Sequence, residues 1–243
     1  MPSVKLSVNV NKIATLRNSR GGTEPNLLDA VAVCIKAGAP GITVHPRADA
    51  RHIRRSDVFE VAERLKATPH VEYNIEGDPR PDLLELVLRV RPTQCTLVPV
   101  KPGEITSQAG WPPGTSINEL ASVVTNIKKL GVRVSLFIDP SLDAVRWAAE
   151  VGGDRVELYT EPYARAFEAG RGETSFAAYA DAAALAHSLG LAVNAGHDLD
   201  LKNLQLFRRL PHLAEVSIGH ALISHALYVG LERSVSDYLN ALR

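Results

Sequence analysis

IKAGAPGITVH (residues 35–45), KKLGVRVSLFI (128–138), AEVGGDRVELY (149–159) and HSLGLAVNAG (187–196) share one pattern: the end of an amphipathic helix, a glycine, one or two residues, and a β-rich run. Gly38, Gly131, Gly152 and Gly190 stand where a helix ends by turning left-handed, a conformation open to glycine because it has no Cβ. Helix followed by strand, repeated four times, predicts a parallel sheet joined by helical crossovers. Further β-rich runs near residues 5–10, 71–75, 94–98 and 215–218 bring the strands to eight. Eight close a barrel. The expected fold is therefore an α/β chain forming one (β/α)8 TIM barrel domain with extra helices, and 243 residues is close to the size that fold needs.

Helix starts are marked by Ser56-Asp57, by Pro81-Asp82, and by Ser116 with Glu119 as a capping box. Residues 99–115 are too long and too rich in Pro and Gly for a minimal loop, so they are either an active-site lid or a passive surface excursion. The tail after Leu231 has helical periodicity and either covers the barrel or meets another subunit.

Lys plus Arg and Asp plus Glu number 27 each, so no net field draws nucleic acid or an anionic membrane, and any anion must be recognised locally. The first twenty residues contain no apolar stretch of signal-peptide type, and no run approaches the length of a membrane span, so a cytoplasmic location is expected. Cys34 and Cys95 sit on apolar ground without the surroundings of a reactive thiol; a disulfide between them stays open at this level.

Four of the eight histidines, His45, His52, His197 and His220, fall at or just past the ends of β-rich runs. Loops that follow the strands of a barrel gather on one face, so these side chains, with Asn9, Glu72 and Glu157, are expected around one cavity. Asn9 and Asn11 share a side of the first strand by its period of two, with Lys12 at the rim. His45, held extended by Pro46, is placed for proton transfer near neutral pH. Arg47, Arg51 and His52 form a cationic cluster suited to a phosphate.

In HVEYNIEG, Glu72 is read as lying mid-strand and Glu76 at the strand end on the same face. Glu157 in RVELYTE is a second buried acid, and such carboxyls acquire the raised pKa that acid–base work needs unless they are tied into ion pairs. VNAGHD and VSIGHA each end in Gly-His, where glycine lets backbone amides approach an anion at the last two strands of a barrel. His197 and His220 thus belong to a candidate phosphate cradle. No metal is expected, since the first strand lacks a His-x-His pair, although His45, His197 and His220 could form a ligand triad.

Taken in order, SVNVNKIATLRNSRG, GITVHPRADARHI, VEYNIE, VSLFID, VNAGHDL and SIGHALI closely resemble the pyridoxine 5′-phosphate synthase family from end to end. The resemblance implies a (β/α)8 barrel that assembles into homo-oligomers, often octamers, and uses neither metal nor organic cofactor. It implies condensation of 1-deoxy-D-xylulose 5-phosphate with 3-amino-2-oxopropyl phosphate. By the same resemblance His45 and Glu72 are proton acceptors, His197 is a proton donor and Glu157 stabilises charged intermediates. Asn9, Arg20, Gly219 and His220 would hold the aminoketone phosphate, and Arg47, His52 and Thr106 the sugar phosphate.

The chain departs from the family pattern at Asn11-Lys12 (usually Asp-His), at Asp198 (usually Gly) and at Val100 (usually Glu). Two other readings therefore stand beside the synthase: a paralogue acting on a different amino-ketone or phosphosugar, and a phosphosugar-binding protein without turnover.

Overall fold

The computed structural model describes residues 4–100 and 107–243. Its strands β1 (Lys5–Asn9), β2 (Gly41–Val44), β3 (Glu72–Gly77), β4 (Gln94–Leu97), β5 (Arg133–Ile138), β6 (Arg155–Tyr159), β7 (Ala192–Gly196) and β8 (Leu213–Ile218) pair in sequence order, all parallel. The eighth returns to the first, closing the barrel. The four glycines take the expected left-handed turn, with φ of 95° at Gly38, 77° at Gly131, 90° at Gly152 and 81° at Gly190.

Around the barrel run α1 (Asn11–Asn18), α2 (Leu27–Lys36), α3 (Arg55–Leu65), α4 (Pro81–Val90), α5 (Ile117–Lys128), α6 (Leu142–Val151), α7 (Glu161–Glu168), α8 (Gly172–Ser188), α9 (Leu204–Phe207), α10 (His220–Val229) and α11 (Leu231–Ala241). Local chemistry starts several of them. Asn26 caps α2 by accepting from the Leu28 and Asp29 amides, Pro81 occupies the first turn of α4, and Ser141 Oγ accepts from Ala144 N–H to open α6. The expected Ser116–Glu119 capping box does not form: Ser116 makes no capping hydrogen bond through its side chain, and α5 starts without one. The tail helix α11 buries Val235 and Tyr238 and packs on α2, α10 and β1. Cys34 and Cys95 are free, and burial pushes both thiols up to about 12, so neither is a nucleophile.

Strand alternation splits the interior into two unlike regions. One set of side chains, including Val8, Ile42, Ile75, Leu97, Leu136 and Val156, is fully buried beneath the helices and forms the apolar core. The other set points into the barrel, where branched aliphatics usually fill the space. Here it is polar: Ser7 pairs with Thr43 at 2.6 Å, Asn74 reaches Thr43 at 3.3 Å, and Thr96 donates to Asn74 Oδ1 at 3.1 Å.

Residues 101–106 lie outside the described residues, and with them Thr106 and the first part of the candidate lid. Residues 107–115 are pinned to the sheet. Gly110 N–H donates to Asp139 (3.1 Å), Trp111 N–H to the Phe137 carbonyl (2.9 Å) and the Trp111 indole to the Leu97 carbonyl (2.9 Å). A Cβ on Gly110 would stand 2.3 Å from Ile138 Cα, so only glycine passes there.

Candidate active site

A cavity of about 270 Å³ opens above the C-terminal ends of the strands. It is lined by Asn9, Asn11, His45, Arg47 and His52 from β1, β2 and the residues after them, by Glu157, His197 and Asp198 from β6 and the turn after β7, and by Gly219 and His220 at the start of α10. Ten of the expected site residues therefore converge. Lys12 and Arg20 do not line it: Lys12 is exposed on α1 and Arg20 in the turn beyond, although the Lys12 charge still acts on the His52 ring.

Glu72 is also elsewhere. It is the first residue of β3, not a mid-strand one, and Glu76, four residues further along, is the β3 acid that lines the cavity. At about 3.3 Å per residue the two lie roughly 13 Å apart along the strand. Glu72 sits at the opposite end of the barrel between Lys5 and Arg133, and, against the cost of burial, their hydrogen bonds hold its carboxyl below the ordinary 4.5. Ser107, Val98, Phe137 and Ser217 complete the cavity wall.

Each catalytic candidate is held by its own scaffold. Asn11 Oδ1 accepts from the His45 amide at 2.9 Å, tying the start of α1 to the residue that follows β2. The His45 ring is buried and its Nε2 has no hydrogen-bond partner among the described residues. Burial, then the charges of His52, Arg47, Arg80 and His197, hold that imidazole well below its usual pKa of 6.5, so the ring is neutral near pH 7. His52 Nδ1 accepts from Ile53 N–H at 2.9 Å, which places the proton of the neutral ring on Nε2. Its loop is clamped by a buried ion pair: Arg17 meets Asp57 through bonds of 2.7 and 2.8 Å and also donates to the His52 carbonyl at 3.3 Å, which Asn18 reaches at 2.7 Å. Burial and the Arg47 charge lower His52 to about 4.

His197 lies between the Phe137 and Tyr159 rings, at centroid distances of 5.2 and 5.3 Å. Burial lowers its pKa while the Asp198 carboxylate pulls it back. Both residues adopt positive φ, 82° and 57°. That strained turn is fixed from outside: Thr160 Oγ donates to the Gly196 carbonyl at 2.6 Å, and Asn203 Nδ2 to the Asp198 carbonyl at 3.0 Å. A Cβ on Gly196 would stand 2.4 Å from Glu157 Oε1, so a larger residue there would displace the Glu157 carboxyl. Glu157 is buried, and burial followed by the charges of Glu76 and Glu215 raises its pKa well above 4.5. Gly219 precedes α10, whose first residues line the cavity, so the open amides of a helix N-terminus face the same space as His220. Among the described residues no three His, Cys, Asp or Glu side chains converge as metal ligands do.

Residues 6–243 match the family described as "Pyridoxal phosphate biosynthesis protein PdxJ". The chain belongs to the PdxJ family. Curated PdxJ relatives named pyridoxine 5′-phosphate synthase include one from Bacteroides fragilis, 50% identical over 240 residues that span 98% of this chain and 99% of that protein. Another, from Porphyromonas gingivalis, is 52% identical over 239 residues, covering 98% of each. Solved structures share the fold at low identity. A 3-hexulose-6-phosphate synthase superposes with a TM-score of 0.65 at 11% identity (99% of this chain, 100% of that one). A 3-keto-L-gulonate-6-phosphate decarboxylase from Vibrio cholerae does so with 0.62 at 13% (99% of each).

Proposed function

We propose that this PdxJ protein is a pyridoxine 5′-phosphate synthase, condensing 1-deoxy-D-xylulose 5-phosphate with 3-amino-2-oxopropyl phosphate and releasing phosphate and water as the pyridine ring closes. The observation that carries the reading is the buried Nε2 of His45, without a partner among the described residues, in a cavity that also holds His197, Glu157 and an open helix N-terminus. Ring closure needs several proton transfers, and a neutral imidazole walled off from water can both take and return a proton. His45 accepts, His197 donates, and Glu157 steadies positive charge on nitrogen. The α10 N-terminus with Gly219, His220 and Asn9 holds one phosphate; Arg47 and His52 hold the other. Neither metal nor organic cofactor enters the chemistry.

The substrates are small and highly charged, which favours a cytoplasmic site of action; no helix among the described residues is long and apolar enough to cross a membrane. The protein works as a homo-oligomer, a reading supported by the exposed apolar end of α10, where Leu227 is 72% and Tyr228 88% accessible. The test is to supply both phosphorylated substrates to the folded protein and follow pyridoxine 5′-phosphate and free phosphate. Formation of neither ends the assignment.

A further inference from the structure

The cavity contains a second acid besides Glu157, and its surroundings define its state. Glu76, 7% accessible, ends the inward-facing series Glu72, Asn74, Glu76 of β3. Two donors reach it, Asn74 Nδ2 at 3.3 Å and Ser217 Oγ at 3.5 Å, and both address Oε1. Oε2 receives no hydrogen bond from the described residues and is not sealed from solvent, which leaves it to the cavity. Both donors suit an anion on Glu76, and Glu157 lies in the same cavity with burial, then the charges of Glu76 and Glu215, favouring its neutral form.

We propose that Glu76 is the proton-accepting carboxylate of this site, working beside the second cavity carboxyl, Glu157. The proposal rests on the synthase reading and adds to it. The aminoketone substrate arrives as an ammonium ion, which cannot attack a carbonyl. Glu76 carboxylate takes one N–H proton, giving the free amine and a neutral Glu76 acid. The amine lone pair forms the C–N bond to the sugar ketone carbon as the C=O π pair moves to oxygen, and one N–H proton passes from that nitrogen to the oxygen, giving the neutral carbinolamine. Glu76 then returns its proton to the carbinolamine hydroxyl, which leaves as water while the nitrogen lone pair forms C=N.

Groups facing Glu76 from neighbouring elements fit this cycle: Thr43 and His45 from β2, Thr96 from β4, Glu157 from β6, and Glu215 and Ser217 from β8, with His197 across the cavity. Burial, then the charge of Glu215, raises Glu76 to about 8, and burial, then the charges of Glu76 and Glu215, raises Glu157 well above its ordinary 4.5. Glu76 thus exchanges its proton near neutral pH, where a carboxylate base works best.

The experiment combines pH–rate profiles with infrared titration of protonated carboxyl groups in wild type, Glu76→Gln, Glu76→Asp and Glu72→Gln. Glu76→Gln should lower kcat at least 100-fold with KM changed less than threefold, and should remove both the rate limb and the infrared titration step near pH 8. Glu76→Asp keeps the acid but withdraws it, so the step remains while kcat falls about tenfold. Glu72→Gln should keep kcat within threefold with both steps intact. The proposal is overturned if Glu76→Gln retains kcat within threefold or keeps the infrared step, or if Glu72→Gln loses both. Should wild type form no product, the synthase reading fails while the infrared step, which needs no substrate, still decides the titration of Glu76. If Glu76→Gln does not fold, the Glu76→Asp profile decides alone, an unchanged kcat overturning the proposal.

Discussion

The two ends of this barrel interior are built from the same residue types and behave in opposite ways. At the lower end Glu72 lies between Lys5 and Arg133, Arg133 Nε donates to Gln94 at 2.9 Å, and Arg155 donates to Asn194 at 2.9 Å with Glu215 at 3.8 Å. At the upper end, among the described residues, Glu76 and Glu157 have no cation within ion-pair distance and His45 Nε2 has no partner, and a cavity replaces the packed network. One carboxyl is held below 4.5 and two are raised above it within the same closed sheet. A buried acid becomes structural or reactive according to whether a cation reaches it. Glu215 shows the intermediate case: burial raises it while Arg155 pulls it down.

The sharpest way to test this contrast is to remove an upper group and ask whether stability notices. His45→Gln should lower kcat/KM by roughly 10² to 10⁴, the usual contribution of a positioned acid–base group. Its unfolding free energy should stay within about 1 kcal/mol of wild type, because His45 Nε2 makes no hydrogen bond to the described residues. Steady-state kinetics beside urea denaturation reads both. A stability loss as large as the activity loss would mean that the upper region is structural too.

Titration separates the regions next. Glu76 has an ordinary pKa of 4.5 and a folded one of about 8, so between those values the native state binds more protons than the unfolded chain. Stability attached to this group is present at low pH and is lost as pH rises towards 8. Glu76→Gln should flatten that slope and be more stable than wild type at pH 8.5, by on the order of 3 kcal/mol, while gaining little at pH 5. His45 works with the opposite sign: the unfolded chain takes a proton below 6.5 that the native ring refuses, so stability falls as pH drops through that region. Thermal melts across pH 5 to 9 in both variants check the two slopes.

At the lower end the expected effect is smaller and purely structural. Glu72→Gln leaves Arg133, a quarter accessible, short of its anion, and the half-exposed Lys5 tempers the loss through solvent screening. About 2 kcal/mol should disappear at pH 7. Because the folded pKa lies below 4.5, the difference from wild type should shrink as pH falls beneath that value. Equal denaturation curves at pH 7 would show that the lower network does not stabilise the barrel.

The contrast also explains which parts of the site could be read from residue order. Local rules carried the four left-handed glycines, and the runs ending at Ile138 and Tyr159 became β5 and β6 at the expected positions. Gly-His at the ends of β7 and β8 carried His197 and His220 into the cavity. The period of two also put Glu72 and Glu76 on one face, correctly. It could not supply depth, because height along the barrel axis depends on where β3 begins relative to its neighbours, and Glu72 pairs beside Gly41 at the strand's first step. An acid followed at two-residue steps by Asn and a second acid, just before Gly77, was the available signal that the later carboxyl meets the cavity. Lys12 and Arg20 escaped for a related reason: the chain turns directly from β1 into α1, which carries both out to solvent.

The smallest effect should come from Asp198, at the upper rim. Its φ of 57° is a conformation aspartate tolerates at a cost of about 1 kcal/mol and glycine adopts freely. Asp198→Gly relieves that strain but gives the unfolded chain more freedom, so net stability should change by less than about 1 kcal/mol. The electrostatic consequence is more informative. Burial lowers the His197 pKa and the Asp198 carboxylate raises it, so removing the carboxylate moves His197 further down. Because His197 must hold its proton to donate it, the basic limb of the kcat/KM profile should shift to lower pH, and KM for a phosphorylated substrate should fall a few-fold at low salt as an anion leaves the cavity rim. An unmoved limb would separate Asp198 from the His197 proton and confine its influence to the backbone turn.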